Sequence, residues 1–301
     1  MDVLLIGGTG VLGVRTVRRL VKAGHDVVAV SRRPQSDDLL RLAGVTPLRL
    51  DVFDADAVTR AADGVGALIN IATSIPSSPF PSSRWEMNHR LRRDAAAALS
   101  TAAIRTGARF LQESFAPTYP DRGSQWITED TPLDPIDQTA TVPAAEAAAQ
   151  AVTAAGGTGV VLRFGLFYDA ASPQTRQMVD MARRGHLMLP GPAARYTTMI
   201  HVEDAAAAVV AALQVPPGTY NAVEDEPLTR TAHAEVLATL LARRRVRPLP
   251  AVLGRVPYVR VMARSHRMSN AKLTAAADWR PQYPSVREGW PQVLQEQADG
   301  R

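Results

Sequence analysis

Residues 4–13 read LLIGGTGVLG, and few stretches restrict a fold so tightly. The apolar run DVLLIG leads into Gly7, Gly10 and Gly13, spaced three apart, and then into the helical periodicity of VLGVRTVRRLVKAG. A strand that turns at once into a helix needs one glycine for the turn. It needs a second where backbone N–H groups approach a ligand, and a third where helix and strand pack closely. The helix N-terminus beyond the turn carries free N–H groups and a partial positive charge, which suit a pyrophosphate. Gly7, Gly10 and Gly13, with Thr9, Val11 and Leu12 between them, are therefore expected to hold a dinucleotide.

The alternation continues. Strands are expected at 25–32, 46–52, 66–72, 109–114 and 159–165, with helices near 36–43, 55–64, 85–107 and 143–155. That rhythm builds an α/β fold with a doubly wound parallel sheet of the Rossmann kind. After about residue 166 it breaks. Residues 197–204, a helix over 204–213 and 218–224 read as a return to the main sheet. The expected organisation is a dinucleotide-binding domain over 1–165, completed by about 197–225. Residues 166–196 and 226–301 then form a smaller, C-terminal substrate-binding region.

The ends of the strands select the ligand. An acidic residue closing the second strand accepts from the adenosine ribose and favours NAD. Here Ser31 stands in that place, followed by Arg32 and Arg33, whose guanidinium groups suit a 2′-phosphate. The expected cofactor is NADP(H). Asp51 and Val52 are placed to meet adenine. Ile71, Ala72 and Thr73, after Asn70, are placed near the ribose and pyrophosphate.

In this order the segments resemble extended short-chain dehydrogenases/reductases of the NAD-dependent epimerase/dehydratase type. GGTGVLG, LRLDVFDADAV, WEMNHRLR, VVLRFGLFYD, MIHVEDAAAAVVAAL, GTYNAVEDEPLT and MSNAKLTAAADWRPQYPSVREGW carry the resemblance over nearly the whole chain. It implies an NAD(P)-dependent oxidoreductase in which Asn88 supports the site. It also implies a Tyr with a Lys four residues later on one helix, and a Ser or Thr after the fifth strand. The corresponding stretch, DQTATVPAAEAAAQAV (137–152), has neither Tyr nor Lys. The Tyr place falls near Thr141 or Val142 and the Lys place near Ala145 or Glu146. In QESFAPTYP, Ser114 or Phe115 takes the hydroxyl position.

A proton must then come from elsewhere. Tyr119, on the loop leaving the sheet, is the first candidate and Ser114 the second. Glu113 and Glu146 qualify if burial raises their pKa. His201 reads as structural, and His89 and His233 stand singly, so no metal site is expected. The Pro/Ser-rich loop 74–85 is long enough for a lid, and Trp126, Tyr196 and Met199 are candidates for pocket or core.

The expected function is an NADPH-dependent oxidoreductase acting on a small, partly apolar carbonyl, imine or enone. A non-redox isomerase, cyclase or dehydratase and an NADP(H)-binding sensor are the alternatives. The chain has no Cys, no run of roughly 18 apolar residues and no basic leader before its first strand, which points to the cytoplasm and away from a membrane. The net charge of +5 rests almost wholly on Arg. No aromatic residue interleaves the cluster ARRRVRP (242–248), so nucleic acid is not an expected partner. The expected partners are a small-molecule substrate and a second copy paired through helices 85–107 and 143–155.

Overall fold

The computed structural model describes residues 1–76, 81–249 and 257–300. Its centre is a sheet of seven parallel strands: β1 (Asp2–Ile6), β2 (Asp26–Ser31), β3 (Thr46–Arg49), β4 (Ala67–Asn70), β5 (Arg109–Phe115), β6 (Gly159–Phe164) and β7 (Gly218–Ala222). Their spatial order is β7-β6-β5-β4-β1-β2-β3. Consecutive strands thus run outward from β1 in one direction and, from β4, in the other. The crevice beyond the carboxyl ends of β1 and β4 is the switch point where ligands bind in such sheets.

Val3, Leu4, Leu5 and Ile6 are all buried because helices cover both faces of the sheet. Leu5 packs with Val17 and Leu20 of helix Val11–Lys22 and with Ala205 and Val209 of helix Val202–Ala211. Leu4 and Ile6 face the other way, into a core of Leu99, Ala102, Ala145 and Ala149. These alanines belong to the long helix and to helix Val142–Ala154, and their small side chains let both lie close to the strands. The long helix runs as Glu86–Arg90, a π turn over Leu91–Ala95, and Ala96–Thr106. The π turn coincides with a buried arginine, Arg92.

The return to the sheet is made by helix Val202–Ala211 and β7. Residues Met199–His201 differ from the expectation: they pair in parallel with Leu166–Tyr168 in a separate two-stranded ladder. β7 already takes the hydrogen bonds of the free edge of β6, which leaves no place there for a second strand. The later part of the chain has its own core, in which Tyr168, Val179, Leu187, Leu237 and Trp290 are buried together. Among the described residues no helix is long and apolar enough to cross a membrane. The loop 74–85, expected as a lid, lies partly outside the described residues.

Candidate cofactor and active site

The glycine loop is built as its spacing requires. Gly7 has φ +96°, and a Cβ there would lie 2.8 Å from the Ala72 backbone nitrogen. The first turn can therefore close only on a residue without a side chain. A Cβ on Gly13 would fall 2.0 Å from the Gly7 carbonyl oxygen, so the helix sits directly on the loop. Gly10 caps helix Val11–Lys22 in an extended conformation, with no side-chain cap and no acidic residue in the first turn. Its terminal N–H groups are left for an anion. Thr9, Gly10 and Val11 are exposed, and Leu12 is buried beneath them.

Ser31 is buried at the end of β2, its hydroxyl donating to the Arg33 carbonyl at 3.2 Å. Arg32 and Arg33 are exposed just beyond. Asp51 spends one carboxylate oxygen on the Phe53 N–H at 3.0 Å, and Val52 is half-buried. Ile71 is buried, Ala72 half-buried and Thr73 exposed, on the segment that leaves β4 toward the crevice. These residues bring glycine loop, strand ends and exposed arginines to one edge of the sheet, and they fit a nicotinamide dinucleotide.

Asn88 ties this edge to the long helix. It is fully buried, and its Oδ1 accepts from the Ser74 N–H at 2.9 Å, while its Nδ2 has no partner among the described residues. Gln138 lies on the short turn Asp137–Thr139 before helix Val142–Ala154, and its buried Oε1 is likewise unpartnered. One turn along, Thr141 meets His89 at 3.0 Å. A buried amide donor and a buried amide acceptor without partners call for an explanation.

The two hydroxyls considered as acids are both buried and hydrogen-bonded. Ser114 is 1% exposed and donates to Glu146 Oε1 at 2.5 Å. Glu146 also receives the Arg163 guanidinium through both arms, Nε to Oε1 at 2.8 Å and Nη2 to Oε2 at 2.7 Å. Arg163 Nη1 donates to the Tyr119 hydroxyl at 2.6 Å, which in turn donates to Asn221 Oδ1 at 2.9 Å. Tyr119 is 0% exposed, and burial pushes its pKa up to about 12 despite the neighbouring guanidinium. The chain of bonds links β5, helix Val142–Ala154, β6 and β7. Glu146, one of the residues considered as an acid, is the hub of this ion-paired network. Glu113 stands differently: it is buried, with Oε1 accepting from Arg92 Nη2 at 3.3 Å and Oε2 without a partner among the described residues. Burial raises its pKa, and Arg92 only partly opposes the shift.

His201 is a helix cap, accepting from the Glu203 N–H at 3.3 Å, with its pKa lowered by burial to about 4. Met199 is buried, Tyr196 half-buried and Trp126 exposed beneath the Arg267 guanidinium. Sequence reasoning passed over Arg163, Gln138 and Arg92. An arginine inside the apolar run VVLRFG was the available signal for the first, since a charge in a buried strand demands a partner.

The site is thus that of a nicotinamide-dinucleotide enzyme. A family model described as the NAD dependent epimerase/dehydratase family matches residues 3–222, and the chain belongs to that family. It is 30% identical to a 3-diazoavenalumate denitrifying reductase of a Streptomyces species, over 96% of this chain and 99% of that one. It is 27% identical to the ceramide reductase of Caulobacter vibrioides, over 71% of this chain and 61% of that one. The human epimerase family protein SDR39U1, solved with NADPH, superposes with a TM-score of 0.80 at 20% identity, covering 98% of this chain and 99% of that one. Members of the family are NAD(P)-dependent oxidoreductases and epimerases, and this chain is an enzyme of that kind.

Proposed function

We propose that the protein is an NADPH-dependent reductase whose acceptor takes a hydride without a proton from the enzyme. The observation that carries the reading is the contrast between the two halves of the site. The dinucleotide loop is intact, while the stretch 137–154 holds no Tyr, Lys or His, and its one buried acid, Glu146, is bound to Arg163. Arg32 and Arg33, exposed beyond β2 in place of an acidic residue, support NADP(H) over NAD(H). When bound, the dinucleotide supplies the hydride, and the protein holds it and excludes water.

A carbonyl that takes a hydride becomes an alkoxide and needs a proton. A diazonium group does not. As its carbon–nitrogen bond breaks and a carbon–hydrogen bond forms, the hydride's electron pair cancels the cation's charge and N₂ leaves. The Streptomyces relative, named for reducing a diazo compound with loss of nitrogen, supports this acceptor class. The test is NADPH consumption with an arenediazonium salt, with N₂ measured alongside. One N₂ per NADPH is expected. A protein that binds NADPH, ignores the diazonium salt and reduces aldehydes or enones would overturn the reading.

One observation favours a second reading, reduction of a small, partly apolar carbonyl, imine or enone. Glu113 keeps a buried, unpartnered oxygen and a raised pKa, the state of a carboxylic acid able to give a proton. Glu113→Gln would then lower the rate about 100-fold or more, whereas a diazonium reductase keeps its rate.

A further inference from the structure

Arg230 opens helix Arg230–Leu240 and is one of the largest fully buried side chains, with 0% exposure. Its Nη2 donates to the carbonyl oxygens of Met262 and Arg264 at 2.8 and 2.9 Å. Its Nε and Nη1 are buried and have no partner among the described residues. Among the described residues none forms an ion pair with it, and Asp121, whose field reaches it, is half-exposed and paired with Arg195. A buried guanidinium without a counter-ion is costly, and folded chains avoid it.

The same residue lines a cavity of about 10 Å³ with Thr197, Arg264 and His266. Thr197 Oγ1 is a further buried group without a partner. His266 Nε2 lies 3.0 Å from the Tyr119 carbonyl, which only accepts, so that nitrogen carries the proton. Pro117 and Leu166 also line the cavity. They follow the carboxyl ends of β5 and β6, on the side of the sheet where substrates of such folds lie. The cavity therefore offers unused N–H donors, a free hydroxyl and an uncompensated positive charge, with room for one oxygen-sized atom.

We propose that Arg230 and Thr197 receive a carboxylate of the substrate, one oxygen entering this cavity. A water molecule satisfies the donors but leaves the charge uncompensated. A phosphate carries about two charges, more than one guanidinium balances. A carboxylate supplies one charge and an oxygen that fits, which a guanidinium N–H meets with a charge-assisted hydrogen bond. The Streptomyces relative's substrate is by its name the anion of an acid. The proposal deepens the reductase reading and rests on it for the identity of the ligand as substrate.

The test is calorimetric titration of the full-length protein, with and without NADP⁺, using cinnamate and cinnamamide as probes. Cinnamate is expected to bind about 10- to 100-fold more tightly, the range of a charge-assisted hydrogen bond. Arg230→Gln abolishes that preference. Thr197→Val, which removes one hydroxyl and leaves the guanidinium in place, weakens cinnamate and leaves cinnamamide unchanged. Equal binding of acid and amide overturns the proposal, as does a preference that survives both substitutions, or no binding of cinnamate at about 10 mM. The preference is read in the apo protein too, so a failure to bind NADP⁺ counts against the reductase reading and not against this subsite.

Discussion

Glu146 and Arg163 form a two-pronged ion pair in the interior, at 2.8 and 2.7 Å, with both side chains under a tenth exposed. It joins helix Val142–Ala154 to β6 in the place where a family enzyme concentrates its proton chemistry. Removing one partner strands a charge. Glu146→Ala is expected to cost about 3–5 kcal/mol, read as a lower urea midpoint at unchanged slope. A loss below about 1 kcal/mol would show that water reaches Arg163.

Tyr119 shares that guanidinium. Tyr119→Phe keeps the ring and deletes the hydroxyl, leaving Arg163 Nη1 and Asn221 Oδ1 each short of a partner. A stability loss of about 1–3 kcal/mol follows. The turnover number is expected to stay within about twofold, because the hydroxyl faces the network. A fall of about 100-fold or more, the range for a lost general acid, would restore Tyr119 as the proton donor.

Much of this was legible in the sequence, and the reason is local. The strand–turn–helix of the first thirteen residues is fixed by glycine spacing, and the buried strands by continuous apolar runs between helical periods. The course of Met199–His201 was not legible. Pairing is decided by which edge is already filled, and no residue within MIH records that β7 occupies the edge of β6. Tyr119 and Ser114 were candidate proton donors because both lie at or just beyond the carboxyl end of β5. Their actual partners, Asn221 and Glu146, lie 102 and 32 residues away along the chain. Arg230 was invisible for the same reason: an arginine at a helix start is ordinarily solvated, and only the fold shows it enclosed.

The glycine loop separates two roles that sequence alone merges. Gly13→Ala would place a methyl 2.0 Å from the Gly7 carbonyl oxygen and is expected to destabilise the protein by about 3 kcal/mol. A Cβ on Gly10 meets only the Gly7 oxygen, at 3.4 Å. Gly10→Ala should therefore hold the melting temperature within about 2 °C while weakening the dinucleotide. Thermal denaturation with and without NADPH distinguishes the two. Equal losses of stability would mean that Gly10 is also structural.

His233 accepts from the Trp290 indole N–H at 2.7 Å in the C-terminal core, and burial lowers its pKa to about 3. The folded protein therefore keeps it neutral well below the ordinary value of 6.5. As pH falls below 6.5 the unfolded chain takes up a proton that the folded protein refuses, so stability is lost on acidification at about 1.4 kcal/mol per unit. His233→Gln keeps an acceptor for Trp290 and cannot titrate. Between pH 6.5 and 5 the wild type is expected to lose about 2 kcal/mol more than the variant. Parallel urea midpoints for the two proteins would contradict a buried neutral histidine.

The proposed preference for NADPH rests on Arg32, exposed beyond the buried Ser31 at the end of β2. A 2′-phosphate brings a second negative group to this corner, and only NADPH carries it. Arg32→Glu reverses the charge that meets it and should weaken NADPH by at least about tenfold, the lower bound for a charge-assisted hydrogen bond. NADH lacks the phosphate, so its affinity should change by no more than about threefold, or rise, since an acidic side chain here can accept from the ribose hydroxyls. Fluorescence titration of both dinucleotides against both proteins reads the difference directly. Equal losses would assign Arg32 to the solvated strand end and return the choice of cofactor to Arg33.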